Sequence, residues 1–169
     1  MSAVLENWNK ADESTALYTM LACCGAKRWA AEIVALRPIN DVAELSEMAD
    51  RVWSTMQEPD WLEAFACHPR IGERKAAHAG NRSTAWSQQE QSRASAAGEN
   101  VLAELADGNQ LYEERFGFTY IVCATGKSAE QMLEILKRRL GTTRDTELRE
   151  AAEQQRQIMQ IRLGKWLTE

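Results

Sequence analysis

The chain has 169 residues, the length of one domain on the usual scale of about 100–200 residues per domain. Hydrophobic residues make up 44% and charged residues 27%, a globular balance that excludes a disordered chain. With 20 Lys and Arg against 25 Asp and Glu the net charge is −5, which argues against a nucleic-acid binder or a binder of anionic membranes. No stretch approaches the ~20 apolar residues of a membrane span.

Three prolines and nine glycines, set among many Ala, Leu, Glu and Gln residues, predict helix throughout. Asp12 or Glu13 opens a first helix, with Leu17, Met20, Leu21 and Cys24 on one face and Gly25 closing it. A second runs from about Lys27 to Leu36, where Arg37-Pro38 stops it, because a residue before proline disfavours the helical region. Asn40 or Asp41 caps a third, through Val42, Leu45, Ala49, Val52, Trp53 and Met56. Pro59-Asp60 starts a short fourth that ends near Cys67.

From His68 to Thr84 the periodicity is lost, which predicts a long functional loop. Arg70, Arg74, Lys75 and Arg82 against Glu73 make it basic on an acidic chain, suited to a small anionic ligand or simply solvated. Helix resumes near Ser87 and runs to about Ala106, then from Gln110 to Phe116. Phe118 to Ala124, rich in aromatic and β-branched residues, reads as a short extended piece. Ser128 and Gln131 form a capping box opening a helix to Leu140, and a long helix from about Arg144 to Leu167 closes the chain. The predicted fold class is all-α: a single compact bundle-like domain over residues 1–169.

Cysteine and histidine spacing narrows the chemistry. Cys23 and Cys24 are adjacent, and Cys67 and Cys123 stand alone, so no C-x-x-C pair serves zinc or redox work. They read as buried thiols in a reducing compartment. His68 and His78 have no acidic or thiol partners at ligand spacing, and no metal is predicted. Gly126-Lys127-Ser128 resembles the end of a phosphate-binding loop, but Ile121 stands where its first glycine belongs. Met1 to Asn9 holds no basic stretch followed by an apolar run, and Leu167-Thr168-Glu169 is not a peroxisomal ending. A soluble, cytoplasmic protein is expected.

Three positions stand out. His68 sits where a helix must end, and the negative end of a helix dipole favours imidazolium; it either supplies a proton or caps the helix. Ser87-Gln88-Gln89-Glu90 has the spacing of a capping box, or of a helix N-terminus that gathers N–H groups for a polar ligand, with Glu90 and Gln91 directed at it. Along the last helix Leu148, Ala152, Gln155, Met159, Arg162 and Trp166 follow steps of 4, 3, 4, 3 and 4, which puts Arg162 in an apolar stripe. An inward guanidinium requires an anionic or carbonyl partner, from an internal carboxylate or from a ligand. Trp86 reads as core or as a hydrophobic staple, or as a pocket wall.

His68-Pro69-Arg70-Ile71-Gly72, Trp86-Ser87-Gln88-Gln89-Glu90-Gln91, Tyr112-Glu113-Glu114-Arg115-Phe116-Gly117-Phe118 leading into Ile121-Val122-Cys123-Ala124, and Ile161-Arg162-Leu163 occur in this order. Together they resemble the 2-oxo-4-hydroxy-4-carboxy-5-ureidoimidazoline (OHCU) decarboxylases of urate catabolism. The likeness extends to Leu21-Ala22-Cys23-Cys24-Gly25 and Arg37-Pro38 and so covers nearly the whole chain. It implies an all-helical, cofactor-free homodimer that releases CO2 and forms the S enantiomer of allantoin from a small ureidoimidazoline. It puts the catalytic roles on His68, Glu90 and Arg162, and substrate binding on Pro69, Ser87, Gln91 and the backbone of Ile121, Val122, Cys123, Ala124 and Thr125. The alternatives are a non-catalytic helical interaction module and a decarboxylase or lyase of another ureido compound. The former calls for an exposed apolar patch, the enzyme for polar groups converging on a pocket.

Overall fold

The computed structural model describes residues 2–72, 80–94 and 98–169. Among these residues there are nine helices and no strand: α1 (Ala3–Lys10), α2 (Glu13–Cys23), α3 (Lys27–Ala35), α4 (Val42–Ser54), α5 (Glu58–Phe65), α6 (Asn81–Glu90), α7 (Glu99–Phe116), α8 (Ala129–Arg139) and α9 (Arg144–Trp166). The all-α expectation holds. No helix among the described residues is long and apolar enough to cross a membrane.

The chain forms two compact units, Met1–Ala64 with Arg156–Glu169, and Phe65–Gln155. In the first, α2 packs on α1 and α3, and α3 on α4. Local caps define several starts: the Asp12 carboxylate accepts from the Thr15 N–H at 2.9 Å, and that of Asp41 from the Glu44 N–H at 2.9 Å. The Asp12 carboxyl is held well below the usual range, first by the Thr15 hydroxyl and then by its N–H. Trp8 meets Trp166 edge to face at 5.9 Å, and its indole donates to the Ala16 carbonyl at 3.1 Å. Arg37 lies over the Trp8 ring and bonds the carbonyls of Trp8 (2.9 Å) and Ala11 (2.8 Å), placing its charge at the negative end of α1. The sequence reading missed α1 itself. Eight residues are too few to stand alone as a helix, and only Leu5 and Trp8 mark its buried side.

In the second unit α7 packs on α8. Gly108 makes the approach close, since a Cβ there would lie 2.6 Å from Leu136 Cδ2. The helix expected to break between Ala106 and Gln110 is continuous, because Gly108 and Asn109 are buried on the packed face of α7. It ends at Gly117, whose φ of +82° lets its N–H bond the Glu113 carbonyl at 2.8 Å. Nothing lies near a Cβ at that position. Gly117→Ala is therefore expected to cost about 1–2 kcal/mol from backbone strain alone, seen as a lower urea midpoint with unchanged slope. At α8 the expected capping box is present, with Ser128 and Gln131 exchanging both bonds. Residues 118–124, expected as a short extended piece, form neither helix nor paired strand.

Tyr112, Phe116, Phe118 and Tyr120 cluster at centroid distances of 4.7–6.4 Å. The Tyr112 hydroxyl donates to Glu147 at 2.6 Å and that of Tyr120 to the Met132 carbonyl at 2.9 Å. Burial, and for Tyr112 next the bond to Glu147, pushes both phenols well above the usual tyrosine range. A raised folded-state value makes the neutral phenol a source of stability below about pH 10 that is lost as pH rises further. Ultraviolet titration is expected to show Tyr112 and Tyr120, two of the three tyrosines, ionising only as the protein unfolds.

Candidate active site

Three pieces of the second unit carry most of the predicted site residues. The first follows α5. The His68 N–H bonds the Phe65 carbonyl at 3.1 Å, and the chain then leaves the helix through the buried Pro69, as expected from the His-Pro step. Helix α7 grips this segment twice. Arg70 lays its guanidinium on the Glu113 carboxylate with two 2.7 Å bonds, and the Asn109 amide donates to the carbonyls of Ile71 (3.3 Å) and Leu105 (2.9 Å). Gly72, with φ of +94°, turns its N–H to Gln91 Oε1 at 2.9 Å. The half-buried His68 ring puts Nε2 2.7 Å from Oε1 of Gln155, a residue of α9 with no exposed surface. Of the remaining basic residues expected in this loop, Arg82 lies over the Trp86 ring; Glu73, Arg74, Lys75 and His78 lie outside the described residues.

The second piece is α6, and here the sequence reading is corrected. Helix α6 begins at Asn81 after Gly80, so Ser87 is in its last turn rather than at an N-cap, and Glu90 is its final residue. The chain turns at residues 91–93, and the next helix among the described residues starts at Glu99, so no single helix runs from Ser87 to Ala106. No helix N-terminus faces a ligand from Ser87-Gln88-Gln89-Glu90. The loop expected to reach Thr84 stops at Gly80, and Trp86 is an interior helical residue instead of a staple. The cause is that α6 buries Ser83, Trp86, Ser87 and Glu90, a helical i, i+3, i+4, i+7 stripe that is mostly polar. A search for apolar periodicity passes over such a face, whereas a search for any residue type at that spacing finds it. Gln91, half-buried just past the helix, joins α6 to the His68–Gly72 segment through Gly72.

The third piece is the backbone from Ile121 to Thr125. Ile121, Val122, Cys123 and Ala124 are buried and Thr125 is exposed. Arg139 holds the Ile121 carbonyl at 2.5 Å, and the Gln154 Oε1 accepts from the Cys123 N–H at 2.8 Å. Lys127 reaches back to the Cys123 carbonyl with its ammonium (2.7 Å) and to that of Ala124 with its N–H (3.0 Å). Consecutive glutamines of α9 therefore hold two different pieces, Gln154 this backbone and Gln155 the His68 ring.

Arg162 belongs to the first unit. It is 2% exposed, as its place in the stripe of α9 predicts, and Nη1 donates to the Ala22 carbonyl near the end of α2 at 3.2 Å. This partner is a backbone carbonyl, a source other than the internal carboxylate or the ligand expected from the sequence. Among the described residues no group of three or more His, Cys, Asp or Glu is placed to hold a metal ion.

The sequence matches the family model described as OHCU decarboxylase over residues 9–164. The chain belongs to the OHCU decarboxylase family. It is 34% identical over 144 residues to the uric acid degradation bifunctional protein TTL of Arabidopsis thaliana, a match covering 85% of this chain and 44% of that protein. It is 26% identical to the 2-oxo-4-hydroxy-4-carboxy-5-ureidoimidazoline decarboxylase of Haloferax volcanii, over 81% of this chain and 80% of that one. A crystal structure of OHCU decarboxylase in the presence of (S)-allantoin superposes with a TM-score of 0.77 at 32% identity, covering 88% of this chain and 96% of the other. The chain spans less than half the length of the bifunctional relatives, 44% of the Arabidopsis protein and 33% of one from Bacillus subtilis.

Within this OHCU decarboxylase-family chain, sequence reasoning passed over Gln154, Gln155, Arg139 and Asn109. Gln155 carried a usable signal, a polar residue in the same stripe as Arg162. Arg139 carried none, since its Lys137-Arg138-Arg139 context reads as ordinary positive charge at a helix C-terminus.

Proposed function

We propose that this chain decarboxylates OHCU to (S)-allantoin and CO2, the third step from urate to allantoin. What supports the reading most is its likeness, at 32% identity and a TM-score of 0.77, to an OHCU decarboxylase whose crystal structure was obtained in the presence of (S)-allantoin. The reading includes a cytoplasmic homodimer that needs no cofactor, as the family resemblance implies.

The substrate supplies its own electron sink, a C=N bond next to the carbon that bears the carboxylate. As the bond to the carboxylate breaks, its electron pair forms a C=C bond to the neighbouring ring carbon, and the imine nitrogen takes the displaced pair with a proton. The hydroxyl then loses its proton as the carbonyl forms, and a proton added to one face of the neighbouring carbon sets the S configuration. His68 is the general acid for that last proton. Glu90 binds the hydroxyl and ureido groups, and Arg162 anchors an anionic or carbonyl oxygen. Pro69, Ser87, Gln91 and the backbone of residues 121–125 hold the ring and the ureido amides. The bonds from Gln91 to Gly72 and from Gln154 to Cys123 support this arrangement, since they keep those groups in fixed places before substrate arrives.

The test generates OHCU in place from urate with urate oxidase and hydroxyisourate hydrolase, adds the protein and follows the circular dichroism of the product. Rapid appearance of one allantoin enantiomer is expected. Unchanged decay to the racemate, with protein shown to be folded, would overturn the reading.

A further inference from the structure

The contact between His68 and Gln155 joins the proposed acid to a side chain that no part of the scheme above uses. Gln155 has no exposed surface, its Oε1 lies 2.7 Å from His68 Nε2, and its own Nε2 is buried with no hydrogen-bond partner among the described residues. A buried amide has two ends, and which one faces the imidazole decides where the proton sits on the ring. An amide NH2 facing Nε2 would suit only a neutral ring protonated on Nδ1. Once that ring gained its second proton, two donors would oppose each other. The oxygen suits both states, because Nε2 carries hydrogen in the neutral Nε2–H tautomer and in the imidazolium alike. With the oxygen inward, His68 loads and unloads its proton without any rotation of Gln155.

We propose that Gln155 is a positioning residue that holds the His68 imidazole in the Nε2–H tautomer, so that the proton His68 transfers is carried on Nδ1. The tautomer is inferred from the Oε1–Nε2 contact, and its consequence for turnover rests on the decarboxylase reading. The adjacent Gln154 amide is engaged with the Cys123 backbone, and the buried Asn109 Oδ1, without a partner among the described residues, belongs to a side chain already holding Ile71.

Long-range 1H–15N spectra of 15N-labelled protein, with the two histidines distinguished by His78→Asn, read the tautomer directly. Neutral His68 is expected as Nε2–H in the wild type. In Gln155→Met both tautomers are expected, with kcat lower on the order of 10²-fold and a smaller excess of S product, as for a misplaced catalytic group. Gln155→Glu retains an acceptor oxygen at the same reach and is expected to restore the Nε2–H tautomer and most of the S excess. A wild-type ring protonated on Nδ1 overturns the proposal, as does Gln155→Met with unchanged tautomer and enantiomeric excess. The spectrum of protein with Gln155 intact decides the proton's position, so a poorly folding Gln155→Met leaves the test standing. Wild-type protein with the expected tautomer but no turnover of OHCU would count against the decarboxylase reading and leave the role of Gln155 standing.

Discussion

His68→Asn is expected to lower the turnover of OHCU by about 10²–10⁴-fold, the range that a positioned general acid contributes. The product that still forms is expected to lose its S preference, because proton delivery to one face then falls to solvent. The substitution leaves the frame of the segment in place. Asn109, Glu113 and Gln91 hold Ile71, Arg70 and Gly72 without using the imidazole. Folding should accordingly survive, and a thermal melt close to that of the wild type is the control. Circular dichroism of allantoin formed in the coupled assay measures rate and chirality together. Wild-type turnover with full S selectivity in the variant would remove His68 from the mechanism.

The largest effect on stability is expected at a buried pair remote in sequence from every recognised motif. Arg139 and Glu147 are 3% and 1% exposed, and the guanidinium Nε donates to the carboxylate. Glu147 also accepts from the Tyr112 hydroxyl (2.6 Å) and from Thr142 (3.0 Å), while Arg139 lies 4.9 Å from the Tyr120 ring centroid and holds the Ile121 carbonyl. Removing one partner strands a charge where water cannot reach it, at a cost of about 3–5 kcal/mol. Arg139→Leu is expected to lower Tm by about 10 °C in a chain of this length, and to raise KM as the backbone from Ile121 onward loosens. Arg139→Leu combined with Glu147→Leu should recover part of that loss, since no charge then remains buried. A single variant within about 1 kcal/mol of the wild type would show that water or another group neutralises the pair.

These two sites differ in how visible they are in the sequence. His68 is marked by its own neighbours, a short helix before it and a proline after it, and by a motif that recurs in a family. Arg139 and Glu147 look like the ordinary charges of a helix end and a helix start. Only the tyrosines brought around them from α7 and from the 118–124 segment turn them into a buried network.

The same division runs through the whole chain. Sequence by itself determined the helices that begin at Asp12, Asp41 and Ser128, the stop at Arg37-Pro38 and the burial of Arg162, because caps, proline and helical periodicity act within a few residues or along a single helix. It also determined the family, through blocks of residues in a set order. Tertiary structure decided where α6 begins, since a helix that buries Ser83, Ser87 and Glu90 has no apolar stripe to announce it. It decided as well that α1 forms at all, and that neighbouring glutamines of α9 hold the Cys123 backbone and the His68 ring. Those outcomes depend on partner groups 31 and 87 residues away or on packed neighbouring helices, and the reach of a side chain's local chemistry ends after about one helical turn.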